Sequence, residues 1–164
     1  MKYFIAVSKK IYLVSEILAL FLLSIIMSLL FIQVILRYGF NFGFPWVEEL
    51  CRYMFIWMIF IGAGIGVKKG IHASMEVFTK FLSSGRYGFY QDLLNIVTLI
   101  FSTVVLVIGI KFANGIGGQT ASSIPISMFW VYVSAPVGGI LMMLCAVENI
   151  LVRRIPGYDD NTAA

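Results

Sequence analysis

The stretch LVSEILALFLLSIIMSLLFIQVIL, Leu13 to Leu36, runs 24 residues with Glu16 as its single charged side chain. As an α-helix at 1.5 Å per residue it spans about 36 Å, more than the roughly 30 Å of a bilayer's hydrocarbon. Three further stretches meet or nearly meet that requirement: Pro45–Val67, Leu93–Ile110 and Ile124–Val147. The whole chain of 164 residues is 60% hydrophobic and 12% charged, with a mean hydropathy of +0.95. An average soluble domain is about 45–50% apolar and about 25% charged, and a chain this short has too little interior to hide the excess from water. The expected fold is an all-α membrane protein of four transmembrane helices. It forms one domain over residues 1–155, with a flexible polar tail from Pro156 to Ala164. Lys2, Lys9 and Lys10 precede the first run as in a signal peptide, but the run exceeds a signal core and no small-x-small cleavage pattern follows it. It is read as a retained helix.

Outside the spans, charge sets the topology. Lys2, Lys9, Lys10, Lys68, Lys69, Lys80, Arg86, Arg153 and Arg154 fall on one side of the four-span arrangement. Arg37, Arg52 and Lys111 fall on the other. The positive-inside bias then places both termini in the cytoplasm and turns the Gly39–Phe44 and Asn114–Ser123 connections outward. The net charge of +4 is distributed over span ends, so it signals orientation in a lipid bilayer and not binding of nucleic acid. Between the second and third spans Ile71, Met75, Phe78 and Leu82 recur on one helical face. This predicts a cytoplasmic amphipathic helix over about 71–83, lying in the interface or packed on a partner, and ended by Ser83-Ser84-Gly85.

Chemistry inside the spans is sparse. Glu16 sits about one turn into the first span, within reach of the cytoplasmic interface, and Gln33 is polar but uncharged. A self-sufficient ion-coupled carrier normally holds a charged relay at mid-depth, so this pattern describes a helper. Cys51 and Cys145 belong to no C-x-x-C or Cys/His cluster, and one histidine, His72, does not make a bis-histidine haem site. No catalytic, substrate or metal residues are assigned, and an enzyme is not expected.

The informative charges open the second span, in Pro45-Trp46-Val47-Glu48-Glu49-Leu50-Cys51-Arg52. Proline suits a first helical turn, acids favour the positive end of the helix dipole, and Trp46 fits an interfacial anchor. Glu48 and Arg52 have the i, i+4 spacing of an ion pair. Arg37 ends the first span and is separated from the two acids by a short turn through Gly39 and Asn41, so the four charges are expected to cluster and hold two helices in register. This segment is either a well-capped helix start or a partner-binding surface. Gly62, Gly64 and Gly66 point to close helix packing. Gly115, Gly117, Gly118 and Gln119 form a bendable outward loop, Pro125 stands at the entry to the last span, and Pro136 with Gly138 and Gly139 loosens that span.

The run Val34-Ile35-Leu36-Arg37-Tyr38-Gly39-Phe40-Asn41, followed by Trp46-Val47-Glu48-Glu49-Leu50-Cys51-Arg52, resembles the small, DctQ-like membrane subunit of TRAP transporters. Gly62-Ala63, Lys69-Gly70-Ile71-His72, Gln119 with Ile124-Pro125, and Pro136-Val137-Gly138 continue the resemblance in order, from Gln33 to Gly139. Ser74-Met75-Glu76 departs from the more acidic pattern expected after His72. The resemblance implies a multi-pass protein of a cell inner membrane that partners a large membrane subunit and an extracytoplasmic solute-binding protein. The large subunit would carry the substrate and sodium sites and work as an elevator, and this subunit, with no cofactor of its own, would brace the scaffold. Substrates in the family are small organic acids, including dicarboxylates and sialic acids. The structural and partner-interface candidates are Arg37, Asn41, Trp46, Glu48, Glu49, Arg52, His72, Gln119 and Pro125. The competing readings are a stand-alone homo-oligomeric transporter using Glu16, and an anchor subunit of a membrane enzyme.

Overall fold

A computed structural model describes residues 2–68 and 84–153. Among the described residues five helices follow in order: α1 (Lys2–Phe40), α2 (Pro45–Lys68), α3 (Ser84–Ile116), α4 (Met128–Tyr132) and α5 (Ser134–Arg153). Four apolar spans lie within them, over Val7–Phe40, Pro45–Lys68, Asp92–Ile116 and Met128–Leu151, each long enough to cross a membrane. The second matches its expected bounds to within one residue. The third runs on past Lys111, and the fourth begins four residues later than expected because 119–127 is folded as a loop. Ser84 and Gly85, expected to end the interfacial helix, instead open α3. The interfacial segment with His72, and the tail, lie outside the described residues.

The spans pack as an open row. α1 lies on α2, α2 on α5, and α5 on α3, so the fourth span is inserted between the second and third. Ile26 of α1 packs with Val47 and Cys51 of α2, and Val67, Met142 and Ala146 form a second core that Ala63, Leu99 and Val105 complete. Large apolar side chains such as Leu20, Phe21, Met27 and Phe31 on α1, and Ile100, Phe101 and Ile108 on α3, remain exposed. That pattern suits a chain whose solvent is hydrocarbon.

Adjacent glycines seat α5 between its neighbours. A Cβ on Gly138 would fall 2.6 Å from Phe60 Cβ of α2 and 2.8 Å from the Phe60 carbonyl oxygen. One on Gly139 would fall 3.1 Å from the Ser102 carbonyl oxygen of α3. Small residues admit such approach where lipid supplies no hydrophobic drive between helices. Of the three glycines expected to pack closely in α2, Gly64 does, against Leu141, whereas nothing comes within 4 Å of a Cβ on Gly62. Pro136 lacks the N–H that would bond the Tyr132 carbonyl, and the fourth span is divided at Val133, between α4 and α5.

Candidate functional site

At one end of the row, the α1–α2 turn and the α3–α4 loop meet around Glu48 and Glu49. Asn41 adopts φ 52°, a left-handed conformation that asparagine tolerates better than most residues, and the Phe42 N–H then donates back to the Leu36 carbonyl at 3.1 Å. Pro45 begins α2, and the Phe44 carbonyl before it accepts the Val47 N–H at 3.1 Å. Phe42, Phe44 and Trp46 follow one another along the turn, Phe42 edge-to-face on Phe44 at 4.9 Å between ring centroids and Phe44 tilted against Trp46 at 5.9 Å.

The two glutamates face different partners. Glu48 Oε1 lies 3.6 Å from Arg37 Nη1 and accepts from Gln33 Nε2 at 3.4 Å; the same amide donates to the Phe44 carbonyl at 3.1 Å. Glu49 instead reaches the α3–α4 loop. Its Oε1 accepts the Tyr53 hydroxyl at 2.6 Å and the Ser122 N–H at 3.0 Å, and its Oε2 accepts the Ser123 N–H at 2.6 Å. Arg52 is exposed, and among the described residues no ion pair joins it to either acid. The expected cluster of four charges is therefore a pair, Arg37 and Glu48, beside a separate anchor, Glu49.

The latch between α1 and α2 depends more on the amide than on the ion pair. Gln33 is 6% exposed, whereas the Arg37 and Glu48 side chains are 67% and 53% exposed. An exposed pair contributes about 0–1 kcal/mol, whereas each hydrogen bond of a buried amide contributes about 0.5–1.5 kcal/mol, and the Gln33 amide makes two. Gln33→Leu is expected to destabilise the purified chain by about 1–3 kcal/mol and Arg37→Ala by less than about 1 kcal/mol. Denaturation in detergent orders the two variants, and equal effects would refute the assignment.

The α3–α4 loop is closed by its own bonds. The Gln119 carbonyl accepts the Met128 N–H at 2.9 Å, the Ala121 N–H donates to the Ile126 carbonyl at 2.9 Å, and Ser127 Oγ donates to the Gly117 carbonyl at 2.8 Å while capping α4. At its tip the Ile126 N–H reaches the Ile124 carbonyl at 2.7 Å, a tight turn centred on Pro125. Gln119 and Pro125 thus act through backbone geometry, and both are exposed.

The opposite end holds a contact that the sequence reading did not single out. Lys68 Nζ at the end of α2 lies 2.5 Å from Glu148 Oε1 near the end of α5, with side chains 19% and 2% exposed, and Asn149 Nδ2 donates to the Val67 carbonyl at 3.1 Å. Glu148 Oε2 is buried without a hydrogen-bond partner among the described residues. The available signal was parity: spans two and four run the same way, so the base ending one and the acid ending the other share a membrane face.

A family model for the tripartite ATP-independent periplasmic transporters, DctQ component, matches residues 26–155. Among curated relatives, a provisionally named TRAP transporter small permease protein of Haemophilus influenzae is 42% identical over 67 residues, 41% of this chain and 42% of its own. The sialic acid TRAP transporter small permease protein SiaQ of Vibrio cholerae is 28% identical over 138 residues, 84% of this chain and 79% of its own. The C4-dicarboxylate TRAP transporter small permease protein DctQ of Rhodobacter capsulatus is 29% identical over 99 residues, 59% of this chain and 44% of its own. The matches thus span less than half the length of two of these three relatives. With most of its length inside the family model, the chain belongs to the DctQ family, the small permeases of TRAP transporters, a family of transport proteins and not of enzymes.

Proposed function

We propose that this chain is the bracing subunit of a binding-protein-dependent, sodium-coupled transporter for small organic acids, of the sialic acid or C4-dicarboxylate type. It would hold the stationary scaffold of a large elevator-type subunit that carries the substrate and sodium sites. Its Glu48–Glu49 end would face outward and help receive the solute-binding protein, with both termini in the cytoplasm. The observation that carries the reading is how three acids of the packed spans, Glu48, Glu49 and Glu148, are used. Glu48 joins α1 to α2, Glu49 joins α2 to the α3–α4 loop, and Glu148 joins α5 to α2. Each fastens the chain to itself at one end of the row instead of lining a route through it. The cavity between α1, α2 and α5 is walled chiefly by apolar groups, among them Ile11, Ile61, Ile65, Leu141 and Leu144.

Gentle extraction of the tagged chain from its native membrane is expected to bring a much larger multi-span protein with it. In liposomes the chain alone should give no solute uptake, and addition of the large subunit and binding protein should give sodium-dependent uptake. Uptake by the chain alone would refute the reading and favour the stand-alone carrier, for which Glu16, seven residues or about 10 Å along α1 from Lys9, would be the coupling carboxylate.

A further inference from the structure

We propose that Glu49 is a positioning residue for docking of the solute-binding protein, holding the α3–α4 loop in its receptive form without touching the docking partner. The assignment rests on the functional reading above, in which this end of the row receives that protein.

The loop's own bonds close its base and its tip, through Gln119, Ala121, Ile124, Ile126, Ser127 and Met128. The successive N–H groups of Ser122 and Ser123 are taken by the two oxygens of one carboxylate from α2, 73 and 74 residues earlier in the chain. Consecutive backbone N–H groups form a concavity suited to an anion, and bonds to an ionised acceptor are the stronger class. Tyr53 fixes the carboxylate from behind. Its ring packs with Ala121 and Val131 under the loop, and its hydroxyl donates to Glu49 Oε1 at 2.6 Å. Glu49 is thereby turned inward to the loop's backbone, and the outer faces of Thr120, Ser122, Ser123 and Pro125 stay exposed.

Residues 119–127 carry no charged side chain. A partner meeting this loop finds hydroxyls, the Gln119 amide, backbone groups and a proline, whose arrangement depends on how the loop is folded. If the loop is folded correctly only a fraction of the time, apparent affinity falls by that fraction. The dyad divides the work: Glu48 secures the α1–α2 connection and Glu49 the α3–α4 connection, so neighbouring positions fix both loops of the outer end.

The test is sodium-driven uptake by the complete reconstituted complex while the binding protein is titrated. For Glu49→Ala the half-saturating concentration of binding protein is expected to rise about tenfold, as for a loop competent about a tenth of the time. The rate at saturating binding protein and the amount of large subunit co-purified should be retained. Tyr53→Phe, which keeps both backbone contacts, should give a smaller rise of about threefold. A nitroxide on Pro125→Cys should be immobile beside Glu49 and mobile in Glu49→Ala. An unchanged half-saturation in Glu49→Ala, or a loss of co-purified large subunit in step with uptake, would overturn the assignment alone. Wild-type uptake indifferent to the binding protein would overturn the functional reading and this assignment with it.

Discussion

A Gly138→Val chain is expected to accumulate poorly and to lose its helix packing under conditions the wild type withstands. The clash is with backbone: a Cβ on Gly138 would lie 2.8 Å from the Phe60 carbonyl oxygen and 3.0 Å from its carbonyl carbon. No rotamer change relieves that, so α5 must back away from α2. The same retreat would loosen Gly64 from Leu141 and press Gly139 towards the Ser102 carbonyl, because α5 is held on both sides. Overpacking a close-packed site typically costs about 1–3 kcal/mol, and the added methyls of valine gain little in return because lipid is already apolar. Gly138→Ala should sit near the lower end of that range and valine at or beyond the upper. Gly62→Ala is the control: Gly62 lies on α2 two residues from Phe60, but a Cβ there meets nothing within 4 Å. Thermal denaturation of the purified chain in detergent, followed by gel filtration, reads all three. A Gly138→Val chain as stable as Gly62→Ala would refute the close approach.

That contrast shows what the sequence could reveal. The spans were legible because twenty-odd apolar residues have few other uses, and the second span's start was legible because proline, tryptophan and two acids each have a physical preference there. Which glycines touch a neighbour was not, since Gly62 and Gly64 differ by half a helical turn and only packing decides which faces α5. The α3–α4 loop read as a bendable glycine stretch, yet two of its backbone N–H groups bond a carboxylate 73 and 74 residues away, which no local pattern encodes. Spacing suggested Glu48 with Arg52, whereas Glu48 lies beside α1, where Gln33 and Arg37 offer a nearer set of donors. The Lys68–Glu148 contact was hidden because each residue alone resembles an ordinary charged helix end.

This last pair carries the second large effect. Lys68→Leu is expected to destabilise the chain by about 3–5 kcal/mol, because it strands Glu148 as an unpaired buried charge. Glu148 has no exit: its side chain is 2% exposed, and its Oε2 has no other partner among the described residues. Glu148→Leu should cost less, since Lys68 is 19% exposed and sits at a helix end, where a lysine extends its ammonium towards the headgroups. The Lys68→Leu, Glu148→Leu double variant should lie closer to wild type than Lys68→Leu does, because replacing both members of a buried pair by apolar side chains is often neutral or stabilising. The expected order of loss is thus Lys68→Leu, then Glu148→Leu, then the double variant, read by denaturant unfolding in mixed micelles. Losses that simply add in the double variant would mean that the two side chains act independently. The α2–α5 seam would then rest on glycine packing and the Asn149 bond to the Val67 carbonyl without help from the ion pair.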